Sequence, residues 1–267
     1  MDLSFEWKRT PKEKFGVICG AEKTQEWLLP WWWSRYIENN NFPVTFFDFG
    51  MTDEMKTWCL ERGELVSIDI DTSFVKTRSE VDPELAKLWE KHHEWKVWNK
   101  RNTWFKKPFA FLNSHYEKGL WIDLDCEILG SLEPLFNECD AASQIALVRE
   151  YYSDHVSKFD PVAQYNGGVV VFQHGAPIIE KWAEESVLLN HELVGDDSVL
   201  SHLIKKHRLD VVELSPVYNW RMMKGLNLDA VVIHWVSSSK NYIRSHGGLK
   251  PALDAFFQSC KGLKGIL

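Results

Sequence analysis

The amino-acid sequence predicts an α/β protein with a largely parallel sheet flanked by helices. Three features point there. Short apolar runs alternate with helical stretches through the first third of the chain, the order expected of successive βαβ units. Gly and Pro fall mainly at the edges of those stretches, where turns belong. No internal repeat, low-complexity tract or Pro/Gly/Ser-rich linker divides the chain, so residues 1–267 are expected to form one domain.

The elements follow in order. "FGVICG" (15–20) is an apolar run closed by Gly and reads as a buried strand. "EKTQEWLLPWWWSRYIEN" (22–39) is helical, starting or kinking at Pro30. "FPVTFFDFG" (42–50) is the second strand. "TDEMKTWCLERG" (52–63) has an acidic first turn and a terminal Gly, as a helix should. "ELVSIDI" (64–70) is the third strand. The stretch 83–116 reads as two helices, the second beginning near Pro108, and leads into a fourth strand, Leu120-Trp121-Ile122. Beyond it, strands are expected at 143–150, 165–172, 209–214 and 229–236, with helices at 176–189, 196–207 and from Leu249 onward.

Composition narrows the function. At 267 residues the chain can bury a full core, and 45% hydrophobic with 26% charged residues is an ordinary globular balance. The net charge is −7 and Lys and Arg form no stripe, which argues against a nucleic-acid partner. The first residues, "MDLSFEWKRTPKEKF", lack the apolar run of a signal peptide, and no apolar stretch is long enough for a membrane span, so a cytoplasmic location is expected. Five scattered cysteines without metal-type spacing read as free thiols. Among 14 tryptophans, Trp31, Trp32 and Trp33 occupy successive helical positions and cannot all face one core.

The chemistry centres on "GLWIDLDCEILGSLEPLF" (119–136). Asp123 and Asp125 follow the fourth strand, where open α/β sheets bind their ligands. Alternate residues of an extended segment point one way, so both carboxylates can face one spot. Such a pair is costly unless a cation neutralises it, and hard oxygen ligands suit magnesium or manganese with a phosphate-bearing ligand. The alternatives are a solvated acidic turn or a phosphatase-type Asp-x-Asp nucleophile. The latter needs Thr or Val where this chain has Glu127. Asn166, Gly167 and Gly168 interrupt an apolar strand, which fits either a β-bulge or a ligand approaching the backbone closely. His234 ends another apolar strand.

The segment "KPFAFLNSHYEKGLWIDLDCEILGSLEPLF" (107–136) resembles the core of the retaining glycosyltransferases of family 8, the glycogenin and galactosyltransferase branches. Its Asp-x-Asp centre also resembles the family 32 sugar transferases. Three more pieces fall in the family 8 order: "YNGGVVVFQHG" (165–175), "GDDSVLSHLI" (195–204) and "VVIHWVSSSKNY" (231–242). The resemblance implies the GT-A fold, a Rossmann-like single domain with a mixed, mostly parallel sheet. It implies a nucleotide-binding half over about 15–136 and an acceptor-binding, metal-completing half over about 137–267. It also implies a nucleotide-sugar donor, commonly a UDP-sugar, and manganese as the cofactor, with magnesium admitted by the aspartates.

Residue by residue, the resemblance makes Asp123, Asp125 and His234 the metal ligands. Lys240 would grip the diphosphate, and Lys107 the donor phosphate and sugar, with neighbouring Lys106 and Arg101 as further possibilities. Asn166, Gly167 and Gly168 would line the donor sugar. Cys19 and Gly20, in the strand at 18–21, would line the base, with Asp48 or Asp71 as partners for base or ribose. Asp196 would bond donor hydroxyls, and Asp197 stands on the reactive face where the family commonly has Gln. Ser201 replaces a later Asn. These departures keep open a protein that binds nucleotide sugar without transferring it, and a secreted glycosylating effector has similar site chemistry. The acceptor, whether carbohydrate, lipid or protein, is undefined; "REYYSDHVSKFDPVAQ" (149–164), with Arg149, Tyr151, Tyr152 and His155, is the segment expected to meet it.

Overall fold

The computed structural model describes residues 4–68, 70–93, 96–139, 144–150 and 165–263. Ten strands are described: β1 (Glu13–Ala21), β2 (Val44–Asp48), β3 (Glu64–Ser67), β4 (Tyr116–Ile122), β5 (Cys126–Ile128), β6 (Ile145–Arg149), β7 (Tyr165–Gln173), β8 (Val212–Glu213), β9 (Trp220–Arg221) and β10 (Val232–His234). The helices are α1 (Leu29–Tyr36), α2 (Asp53–Leu60), α3 (Pro83–His93), α4 (Val97–Trp104), α5 (Lys107–Leu112), α6 (Pro177–Leu189), α7 (Asp196–His207), α8 (Lys240–His246) and α9 (Lys250–Leu263).

Seven strands form one sheet in the order β3-β2-β1-β4-β7-β6-β8. The block β3-β2-β1-β4 is parallel, β7 runs antiparallel to both β4 and β6, and β8 joins β6 in parallel. β1 lies inside the parallel block, with Val17 beside Val44 on one side and Leu120 on the other. Parallel strands covered on both faces must be apolar on both, and two cores result. Val17, Cys19, Phe46, Leu120 and Ile122 pack with Trp32 of α1 on one face. Ile18, Phe47, Trp121 and Val170 pack with Phe111 of α5 and Trp182 of α6 on the other. Of the consecutive tryptophans, only Trp32 is fully buried; half-buried Trp31 donates its indole N–H to the carbonyl of Gly247 at 2.8 Å.

Two expectations are corrected. The stretch expected to hold two helices holds three, and β4 already begins at Tyr116. Pro108 has no N–H to continue a helix from α4, so it sits in the first turn of a new one, α5. The strand ending at His234 belongs to a second, three-stranded sheet, β5-β10-β9, in which β10 runs antiparallel to β5 and pairs His234 with Cys126. Lys240 opens a short helix, α8, directly after a turn of 3-10 helix over Ser237–Ser239. Among the described residues no helix is long and apolar enough to cross a membrane.

Candidate functional site

The chain turns sharply where β4 ends. Asp123 N–H donates to Gly168 O at 2.8 Å and Cys126 N–H to Asp123 O at 3.0 Å, so the turn 123–126 presents two carboxylates at the carboxyl end of the sheet. The antiparallel pairing of β5 with β10 then delivers His234 to the same place. Its Nε2 lies 3.2 Å from Asp125 Oδ1 and 3.9 Å from Asp123 Oδ2.

Lys240 Nζ contacts Asp125 Oδ2 at 2.7 Å. Lys107, nearly buried, reaches Asp123 Oδ1 at 3.0 Å, Asp196 Oδ2 at 2.9 Å and Gly167 O at 3.3 Å. Adjacent Lys106 points elsewhere, to Phe49 O at 2.9 Å, so Lys107 is the lysine that enters the cluster. Asp197 accepts from Gly167 N–H at 2.7 Å and from the Asn166 amide at 3.2 Å. Neither aspartate caps α7; that position is Gly195, and Asp196 and Asp197 form the first helical turn.

The glycine pair answers to close approach and to a bulge together. A Cβ on Gly167 would lie 2.5 Å from Asp197 Oδ1, and one on Gly168 would lie 2.5 Å from the His234 ring. The register between β6 and β7 shifts at the same point: Leu147 pairs with Val170, yet Val148 pairs with Asn166. The shift keeps Asn166 in the ladder and leaves Gly167, Gly168 and Val169 without a β6 partner, with the two glycines against Asp197 and His234.

Charge shapes the titration. Burial penalises the Lys107 ammonium, but Asp123, Asp196 and Asp197 more than offset it and hold the lysine well above its usual range. Burial likewise works against the Asp125 carboxylate, and Lys240 with His234 overcomes it and holds that carboxyl well below its usual range. Asp197 is pushed up to about 7 by burial and by the charge of Asp196. Four acidic side chains, Asp123, Asp125, Asp196 and Asp197, thus face two ammonium groups, Lys107 and Lys240, so acids outnumber fixed cations in the cluster. A divalent cation fits that excess and the donor set of two carboxylates and one imidazole nitrogen. Ligands at right angles on such an ion lie about 3 Å apart, close to the Asp125–His234 spacing. Cys126 lies in the same neighbourhood, its Sγ within 4.8 Å of ligand atoms of Asp125 and His234. Burial pushes its thiol well up, and it donates to Gly168 O at 3.7 Å. A protonated thiol leaves the oxygen–nitrogen set as the better ligands for a hard cation.

No protein-family model and no curated protein matches this chain by sequence. Solved structures do match by shape. The galactosyltransferase LgtC, in complex with donor and acceptor sugar analogs, aligns over 86% of this chain and 90% of its own, with a TM-score of 0.58 and 12% identity. Mouse xyloside xylosyltransferase 1 aligns over 85% and 99%, with a TM-score of 0.54 and 12% identity. The bifunctional glycosyltransferase WbbM aligns over 87% of this chain but 47% of its own, with a TM-score of 0.56 and 13% identity, so the chain spans about half of that protein. This chain has the GT-A glycosyltransferase fold.

Within the GT-A sheet the remaining expected residues fall outside the acidic cluster. Cys19 is fully buried in the core and its side chain has no exposure. Gly20 admits the ring of Phe49 over β1, where a Cβ would meet it at 2.3 Å. Asp48 is used by its own turn, accepting from Gly50 N–H at 2.8 Å and Met51 N–H at 2.7 Å and pairing with Lys56. Asp71 accepts from Ser73 N–H at 2.8 Å. Arg101 is buried among Trp89, Trp98 and Phe105 and donates to the carbonyls of Asn190, Leu193 and Val194, just past the end of α6. Ser201 Oγ accepts from Tyr165 N–H at 3.1 Å and so ties α7 to β7. Arg149 pairs with Glu213 at 3.0 Å; Tyr151, Tyr152 and His155 lie outside the described residues.

Two residues of this region escaped the sequence. Glu127, fully buried, accepts from Trp235 Nε1, Leu249 N–H and Lys250 N–H and so anchors the start of α9. Asn219, in "SPVYNW", is 2% exposed and its side chain meets both Asn166 and His234. An amide standing among large apolar side chains was the signal for the second.

Proposed function

We propose that the protein is a metal-dependent, retaining glycosyltransferase acting as one domain. It moves a hexose from a nucleotide-diphosphate sugar, UDP-glucose or UDP-galactose, to an acceptor hydroxyl. The observation that carries this is the meeting of Asp123, Asp125 and His234 Nε2 at the carboxyl end of a GT-A sheet, with Lys107 and Lys240 against the same carboxylates. The galactosyltransferase bound to donor and acceptor sugar analogs, on the same fold, supports a nucleotide-sugar donor.

Asp123, Asp125 and His234 would hold the cation, with manganese favoured by the imidazole. When bound, it supplies Lewis-acid neutralisation of the diphosphate. Lys240 leaves Asp125 for the phosphate oxygens and adds a point charge to the leaving group. Lys107 is held between Asp123 and Asp196 and presents its ammonium beside Gly167, where the donor sugar is read. Asn166 and Asp196 offer bonds to sugar hydroxyls, and Asp197, beneath the same strand, sets negative charge near the developing oxocarbenium centre. The acceptor hydroxyl attacks from the leaving-group side and its proton passes to the departing phosphate oxygen, so no dedicated base is required.

The test is release of UDP from UDP-glucose and UDP-galactose with manganese, by wild type and Asp125→Asn. Metal-dependent release that Asp125→Asn abolishes, with circular dichroism unchanged, is the expected result. Equal release by both proteins would end the metal assignment.

A further inference from the structure

We propose that Asn219 is a positioning residue that locks the imidazole of His234 in the tautomer able to bind a metal; this rests on His234 being a ligand, as proposed above. His234 Nδ1 lies 2.9 Å from Asn219 Oδ1 and 3.1 Å from Asn166 Oδ1. Both neighbours are amide oxygens, which only accept, so Nδ1 is the nitrogen that carries the proton. Nε2 is the other ring nitrogen and faces the carboxylates of Asp125 and Asp123, so with the Nδ1–H held behind the ring it is Nε2 that a cation shared with those carboxylates would meet. A metal-binding imidazole is commonly fixed in this way by an acceptor behind its other nitrogen.

The orientation of the Asn219 amide is itself determined. Its Nδ2 donates to Asn166 Oδ1 at 2.7 Å, which turns its oxygen towards His234. Asn166 Oδ1 also accepts from Gly168 N–H at 3.0 Å, and its Nδ2 donates to Asp197 at 3.2 Å, so no amide in the set can flip without losing a bond. Asn219 is held from behind as well. It closes a turn of 3-10 helix (Pro216–Tyr218), donates its N–H to Pro216 O at 3.2 Å and enters β9, which pairs with β10. One buried amide chain therefore runs from His234 through Asn219 and Asn166 to Asp197, joining the cation end of the cluster to the bulged strand.

Two variants and one spectrum test this. Asn219→Leu keeps the branched heavy-atom shape and removes the acceptor; Asn219→Asp keeps an acceptor for Nδ1–H. Manganese affinity is measured by calorimetry without nucleotide, with circular dichroism as the check on folding. The expected result is a loss of roughly 10- to 100-fold for Asn219→Leu, and a smaller loss, within a few-fold of wild type, for Asn219→Asp. The tautomer is read from imidazole nitrogen shifts of metal-free protein, with His234 assigned from the missing signal in His234→Gln. Wild type is expected to show protonated Nδ1, and Asn219→Leu a mixture. Wild type with an unprotonated Nδ1, or Asn219→Leu binding manganese as tightly as wild type, would overturn the proposal. If wild type binds no manganese, the ligand reading of His234 fails instead. The spectrum then still decides whether Asn219 sets the tautomer.

Discussion

Lys240 Nζ lies 2.7 Å from Asp125 Oδ2, so the lysine proposed to grip the donor diphosphate holds a carboxylate proposed to hold the cation. Its second contact, with Gln25 Oε1 at 3.4 Å, is the only other bond that a move to phosphate would break among those described. Cation and lysine compete for Asp125 until the diphosphate gives the lysine another partner. Lys240→Met is therefore expected to raise manganese affinity in the absence of nucleotide, by a few-fold, while lowering turnover by about 100-fold, the scale of losing one placed charge stabiliser. Calorimetry with manganese and UDP release at saturating donor read the two effects separately.

Lys107 is the counter-charge of two carboxylates in a nearly closed space. Removing one partner of a buried ion pair leaves the other uncompensated, at about 3–5 kcal/mol. Lys107→Met is expected to lower the melting temperature by about 10 °C at 2–4 °C per kcal/mol. The double variant Lys107→Met, Asp196→Asn should recover part of that loss, because it removes one of the stranded charges. Thermal melts of the three proteins check this.

Asp197 carries a pH signature. Burial and the charge of Asp196 raise its carboxyl to about 7, so the fold binds its proton more tightly than the unfolded chain does. The resulting stability is fully present below the ordinary carboxyl value near ~4 and is lost as pH rises through 7. In chelator, the melting temperature of wild type is expected to fall relative to that of Asp197→Asn between pH 5 and pH 8. A constant difference across that range would contradict the assignment.

Gly248 lies behind the site, where backbone and side chain both forbid a methyl group. Its φ is +91°, and a Cβ would stand 2.5 Å from the Glu127 carboxylate that anchors α9. Neighbouring Gly247, at φ +73°, would meet only Pro251, at an ordinary 3.5 Å. Gly247→Ala is expected to cost about 1–2 kcal/mol, the left-handed penalty alone. Gly248→Ala should cost clearly more, because Glu127 must also move. Denaturant melts of both variants give the comparison.

The sheet was legible because strands buried on both faces leave unbroken apolar runs, as in Val17-Ile18-Cys19 and Val169-Val170-Val171. Helix α7 was legible at both ends, with Asp196 and Asp197 in its first turn and Lys205, Lys206 and His207 in its last. β5 and β9 were not, since strands of three and two residues carry no period and form only because β10 lies between them. Asp48 shows a different limit of reading side chains one at a time. An acid at a strand end looks like a ligand, yet its own turn and Lys56 use it. Asp123, Asp125 and His234 could be named one by one, but their meeting depends on long-range pairing. Asn219 left only a weak trace for the same reason, an amide among apolar neighbours whose partners Asn166 and His234 are distant in the chain.

The most direct test is the melting temperature with UDP, GDP and their common sugars, each with manganese and with chelator. A ligand at 100 times its dissociation constant adds about 2.7 kcal/mol, which for a chain of this size is a rise of roughly 5–10 °C. A manganese-dependent rise with one nucleotide and its sugars, absent in Asp125→Asn, is the predicted result. The same melting temperature with every nucleotide, with and without manganese, would contradict the proposal that this acidic cluster binds a metal and a nucleotide sugar.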